Sequence, residues 1–143
     1  MVFLPKSFYF QGKGGVHVTK HELLKKVFGH EDFREGQEKL IDELLNGYDV
    51  LGVMPTGAGK SVCYQIPALL LEGIALVVSP LISLMQDQVA ALKAAGVPAA
   101  YINSTLSGPQ VQAVYRNLLA GRYKIVYLAP ERLDYSGFAG YDE

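Results

Sequence analysis

The residues Met54-Pro-Thr-Gly-Ala-Gly-Lys-Ser61 bring together the types needed to grip a polyphosphate. Gly57 and Gly59 allow successive backbone N–H groups to turn inward around phosphate oxygens, and the start of a following helix adds the positive end of its dipole. In that arrangement Lys60 reaches the β- and γ-phosphates and is the catalytic candidate, while the Ser61 hydroxyl ligates Mg²⁺. Pro55, Thr56 and Ala58 complete the wrap around the nucleotide. The general pattern has glycine where this chain has Met54, a departure that costs little because the grip depends on the later glycines. A chance glycine-rich turn is the alternative. Gly-Lys-Ser between an apolar run and a helical stretch favours binding of a nucleoside triphosphate.

Such a loop works only if a strand and a helix hold it. Thr19-Lys-His-Glu22 has the form of a capping box and leads into Leu23, Leu24, Val27 and Phe28 at helical spacing, with Gly29 as the stop. A second helix is expected from Gln37 to Leu45, ended by Asn46-Gly47. Apolar runs at 50–54, 74–78, 99–102 and 125–129 predict buried strands. Between them, 60–71, 83–95 and 108–120 predict helices, the second capped at its turn by Ser83 and the third by the box Ser107-Gly-Pro-Gln110. This alternation predicts an α/β fold, a parallel sheet with flanking helices reached by right-handed crossovers. In such a sheet ligands collect beyond the carboxyl ends of the strands. Ser79-Pro80-Leu81 and Asn103-Ser104-Thr105 both fall there. The expected boundaries are 1–18 without an assigned role, 19–133 as one domain, and 134–143 as a loop or frayed end.

Composition narrows the field. With 143 residues, 50% hydrophobic and 19% charged, the chain can bury one core but has no room for a second lobe. A net charge of −1 supplies no global attraction for nucleic acid, so such binding must be local. Cys63 is the only cysteine, which excludes an internal disulfide and a cysteine-rich zinc site, and cytoplasmic localisation is expected. No apolar run suffices to span a membrane. Cys63 reads as a core residue, and Tyr115, Tyr123 and Tyr127 as packing residues.

Motifs in order along the chain resemble the RecQ family of ATP-dependent DNA helicases, in helicase superfamily two. Phe28-Gly-His-Glu-Asp-Phe-Arg-Glu-Gly-Gln37 resembles its adenine-recognition segment, Met54–Ser61 its motif I, and Val78-Ser-Pro-Leu-Ile-Ser-Leu-Met-Gln-Asp-Gln88 its motif Ia. Tyr127-Leu-Ala-Pro-Glu-Arg-Leu133 resembles the segment two strands later. The resemblance implies a RecA-like P-loop domain, incomplete here and preceded by a helical adenine-recognition segment. It implies ATP and Mg²⁺ as cofactors, with hydrolysis coupled to 3′→5′ translocation and unwinding of DNA. Gln37 would then read the N6 and N7 edge of adenine with its planar amide, and Arg34 would stack on the base. His30 stands where the family often places an aromatic ring. Ser79, Pro80, Leu81, Asn103 and Ser104 would contact the backbone of single-stranded or partly duplex DNA. Pro130-Glu131-Arg132 would either position DNA or bridge motifs within the lobe.

The family's DEAH motif is not found; Asp142-Glu143 is read as an accidental match. The expectation is therefore an N-terminal fragment that binds nucleotide but is inactive alone, its partners being the remaining lobes of the parent helicase. A small nucleotide or metabolite kinase and a non-enzymatic nucleotide-binding module stand as alternatives.

Overall fold

The computed structural model describes residues 2–4, 18–55 and 59–133. The expectations for 134–143, for Thr56, Gly57 and Ala58, and for most of 1–18 lie outside the described residues. The chain divides into two compact units, one within 5–73 and the other formed by 1–4 with 74–143.

The first unit is helical. Helix α1 (Lys20–Phe28) begins at the expected capping box: Glu22 N–H donates to Thr19 Oγ1 at 3.2 Å, and Thr19 N–H donates to Glu22 Oε2 at 2.9 Å. Gly29 closes it in the left-handed conformation, φ 70°. Helix α2 (Gln37–Leu45) and helix α3 (Lys60–Leu70) follow, and both α1 and α2 pack on α3. Their shared core includes Leu23, Leu24, Ile41, Ile66 and Leu69, each at most 2% exposed. Lys20 ties α1 to α2, its Nζ lying 2.7 Å from Glu38 Oε1 and 2.6 Å from Asp42 Oδ1.

The strand expected at 50–54 is not formed. A strand exists only through a ladder to a neighbour, and the described residues of this unit contain no other strand. The segment instead lies against α2: a Cβ built on Gly52 would stand 3.0 Å from Leu40 Cδ1. Leu51 and Val53, on either side, are 91% and 89% exposed.

The second unit is the α/β part. Strands β2 (Ile74–Val78), β3 (Ala99–Ile102) and β4 (Ile125–Leu128) pair in parallel in the order β2-β4-β3. Helix α4 (Ile82–Ala94) connects β2 to β3, and helix α5 (Gly108–Leu119) connects β3 to β4. Both pack on β3. One connection passes over β4 and the next returns to it, so right-handed crossovers place the two helices on opposite faces. Accordingly β4 is buried along its whole length. Ile74, Leu76, Ile102, Val126 and Leu128 share a core with Val111 and Leu118 of α5. Tyr127 is 1% exposed, and Tyr115 and Tyr123 are half-buried against that core, which is packing as expected.

Two local features differ from expectation. Residues Val2–Leu4 form strand β1, which pairs antiparallel on the outer edge of β2, with Phe3 opposite Ala75. The turn into α4 is held by Ser79 rather than Ser83: Ser79 Oγ accepts from Leu81 N–H at 3.3 Å, and no side chain caps the helix itself. Among the described residues no helix is long and apolar enough to cross a membrane.

Candidate nucleotide and nucleic-acid sites

The nucleotide candidates meet in the helical unit. Gly36 takes a left-handed conformation, φ 83°, and turns the chain into α2 so that Gln37 folds back. Gln37 N–H donates to Arg34 O at 3.1 Å, and Arg34 N–H donates to Gln37 Oε1 at 2.8 Å, closing the turn from both sides. The other end of the amide reaches the phosphate loop, with Gln37 Nε2 donating to Gly59 O at 3.0 Å. Gln37 is 3% exposed, so these bonds meet the demand that buried polar groups be paired. Gly59 has φ 74°, and a Cβ added there would lie 2.4 Å from Gln37 Nε2. Glycine is thus required both by the backbone and by the approach of the glutamine.

A cleft of about 160 Å³ opens between these segments. His30, Arg34 and Gln37 line it from the adenine-type segment, and Gly59 and Ser61 from the foot of α3. The volume is below the ~300 Å³ at which sites for whole drug-sized ligands begin, and suits one flat ring system. Phe28, Asp32 and Val62 complete the wall and were not singled out from the sequence. Phe28 and Asp32 both lie inside the motif quoted above, which was the available signal; Val62 had none beyond its place after Ser61. Pro55 and Lys60 are exposed beside the loop.

Ser61 carries the one hydroxyl at the start of α3 suited to a magnesium ion. No cluster of three His, Cys, Asp or Glu able to hold a metal occurs among the described residues. A single hydroxyl donor of this kind is compatible with Mg²⁺, which keeps several waters and is often shared with substrate phosphates. Cys63 lies two residues further on, its Sγ 3.9 Å from Gly59 O. Burial pushes its thiol above the usual range, which keeps it protonated and inert.

The nucleic-acid candidates lie in the α/β unit, at the carboxyl ends of its parallel strands. Ser79 N–H donates to Leu128 O at 3.0 Å, continuing the β2–β4 ladder into the turn. Pro80, Leu81 and Ser104 are exposed, and Ser79 is half-buried. Asn103, by contrast, is wholly buried, so its side chain is not offered to solvent at this edge. Its Oδ1 accepts from Thr105 N–H at 3.0 Å and from Thr105 Oγ1 at 2.6 Å, and its Nδ2 faces Met85 Sδ at 3.7 Å. Arg132, in a single 3-10 turn (Pro130–Arg132), donates through Nη2 to Asn103 O at 3.4 Å. That contact links the turn after β4 to the turn after β3.

Residues 34–139 match the profile of the DEAD/DEAH box helicases, and the chain belongs to that family. It is 50% identical to the ATP-dependent DNA helicase RecQ of Haemophilus influenzae over 120 residues, 84% of this chain and 19% of that protein. It is 52% identical to the ATP-dependent DNA helicase RecQ of Bacillus subtilis over 112 residues, 78% of this chain and 19% of that one. The chain thus spans about a fifth of the length of these relatives. The crystal structure of a hypothetical ATP-dependent RNA helicase from Sulfolobus tokodaii superposes with a TM-score of 0.62 at 26% identity, covering 85% of this chain and 36% of that one. Nothing among these relatives favours the kinase alternative.

Proposed function

We propose that this chain is the ATP-gripping part of a RecQ-type DNA helicase, a cytoplasmic protein that couples ATP hydrolysis to 3′→5′ translocation on single-stranded DNA. The observation that carries the reading is the Gln37 amide, which joins the adenine-type segment to Gly59 of the phosphate loop. A base lodged in the cleft that Gln37 lines and a phosphate chain held by the loop then belong to one nucleotide. Arg34 and His30 flank the base, Lys60 reaches the terminal phosphates, and Ser61 shares Mg²⁺ with them. The ion, when bound, neutralises charge developing on the transferred phosphoryl group. By itself the chain is expected to bind ATP without turning it over, since the DEAH sequence of the family does not occur in it. DNA contacts fall to the strand-end turns that carry Ser79, Pro80, Leu81 and Ser104.

Calorimetric titration tests the reading. ATP should bind at least tenfold more tightly than GTP, Gln37→Ala should erase that preference, and Lys60→Ala should weaken both nucleotides. Equal affinity of the unaltered chain for ATP and GTP would overturn the adenine assignment.

A further inference from the structure

The residues that join α1 to α2 alternate in what they meet. Phe28, His30, Asp32 and Arg34 line the cleft, whereas Glu31 and Phe33, set between them, are tied to α1. Phe33 meets His21 edge to face, with ring centroids 5.0 Å apart and planes at 72°. Glu31 Oε2 accepts from Lys25 Nζ at 3.1 Å. His21 and Lys25 stand four residues apart and so share one face of the helix. Backbone groups pin the joining segment at both ends. His30 N–H donates to Leu24 O at 3.2 Å, and Arg34 N–H donates to Gln37 Oε1 at 2.8 Å. Between these anchors, residues 31–33 make no backbone hydrogen bond among the described residues, and their ties to α1 run through side chains.

We propose that His21 is a positioning residue for the nucleotide base: through Phe33 it holds the segment that presents Asp32 and Arg34 to the cleft. The inference rests on the ATP reading of that cleft and adds to it a residue outside the cleft wall. Magnitudes favour the ring contact over the ion pair as the hold. The Lys25 and Glu31 side chains are 66% and 73% exposed, so solvent screens that pair heavily. Phe33 is half-buried, and an edge-to-face ring pair adds its quadrupole attraction to the area it covers. His21 Nε2 also lies 3.8 Å from Glu38 Oε1, in the first turn of α2, which is beyond hydrogen-bond reach. The ring face is therefore what His21 contributes. Order built into the free protein need not be supplied on binding, so loosening this segment appears as lost affinity for the base. The phosphate loop is reached from the other side, by the Gln37 bond to Gly59, and is spared.

Calorimetric titration of the full chain with ATP and with inorganic tripolyphosphate, each with magnesium, tests the assignment. His21→Ala should weaken ATP about fivefold, the scale of one aromatic pair, and leave tripolyphosphate unchanged. His21→Phe should restore the loss, because it returns a ring without an ionisable group. Lys25→Ala should cost less than about twofold. Phe33→Leu should weaken ATP as well, and adding His21→Ala to it should cost nothing further, since the two residues act through one contact. A His21→Ala variant that binds ATP as the unaltered chain does would overturn the positioning role. So would an equal loss of ATP and tripolyphosphate, the mark of a general loosening of the helical unit, or a His21→Phe variant as weak as His21→Ala. If the unaltered chain held ATP no more tightly than tripolyphosphate, the base reading of the cleft would fall, and the proposal with it.

Discussion

Gly59 and Gly47 separate two demands that a glycine can meet. Both have positive φ, 74° and 85°, so alanine at either position strains the backbone by about 1 kcal/mol. Around Gly47 nothing lies within 4 Å of an added Cβ, whereas at Gly59 the added atom meets Gln37 Nε2. Gly47→Ala should therefore lower the midpoint of thermal unfolding by a few degrees and leave ATP affinity intact. Gly59→Ala should lower the midpoint similarly and also weaken ATP at least tenfold, because Gln37 must leave its place; titration of both variants checks the contrast. At this scale the sequence was legible where chemistry demands residue types in tight order, as in Gly59-Lys60-Ser61. It was not legible at Asn103, because a polar residue after a strand reads as an exposed loop. Its burial depends on Met85, Thr105 and Arg132 arriving from elsewhere.

Elements were legible in proportion to how local their causes are. The boxes at Thr19 and Ser107 fixed two helix starts, since each needs only residues three apart. The apolar run at 50–54 failed as a strand because pairing is supplied by a distant partner, which no local pattern reveals. Equally hidden was the Lys20 clamp between α1 and α2. Hydrogen bonds to Asp42 and then Glu38 raise the Lys20 amine above its ordinary value. The protonated form is the bonded one, so the clamp stabilises fully below the unfolded pKa of about 10.4 and is lost as pH rises through the higher folded value. The lysine side chain is 21% exposed and its partners are nearly half exposed, which limits the gain to about 1 kcal/mol. Lys20→Met should thus unfold a few degrees below the unaltered chain at pH 7. The gap should close at strongly alkaline pH, and a gap that persists there would assign the stabilisation to packing of the lysine stem instead.

At the scale of the whole molecule, the parallel sheet was legible from its unbroken apolar runs, but its outer edge was not. Ile74-Ala-Leu-Val-Val78 is apolar throughout, carries no charge or proline, and forms the strand beyond which no parallel neighbour lies among the described residues. Such an edge is a template for pairing with another chain unless something covers it. Here Val2–Leu4 cover it in antiparallel register, a role that three residues ahead of Pro5 do not announce in the sequence. A net charge of −1 adds almost no repulsion between copies, so the backbone pairing is the main protection. Deleting residues 1–4 should leave the edge open and drive concentration-dependent association, read by sedimentation velocity. Leu4→Pro should do the same with the chain length kept, because residue 4 pairs with Ile74, whose backbone faces β1 while Ala75 N–H is given to Lys124 O, and proline there removes a ladder N–H. Both variants should still bind ATP, since Gln37, Gly59 and Ser61 lie in the other unit. If both remain monomeric at the concentrations where the unaltered chain is monomeric, β1 does not protect the edge of β2.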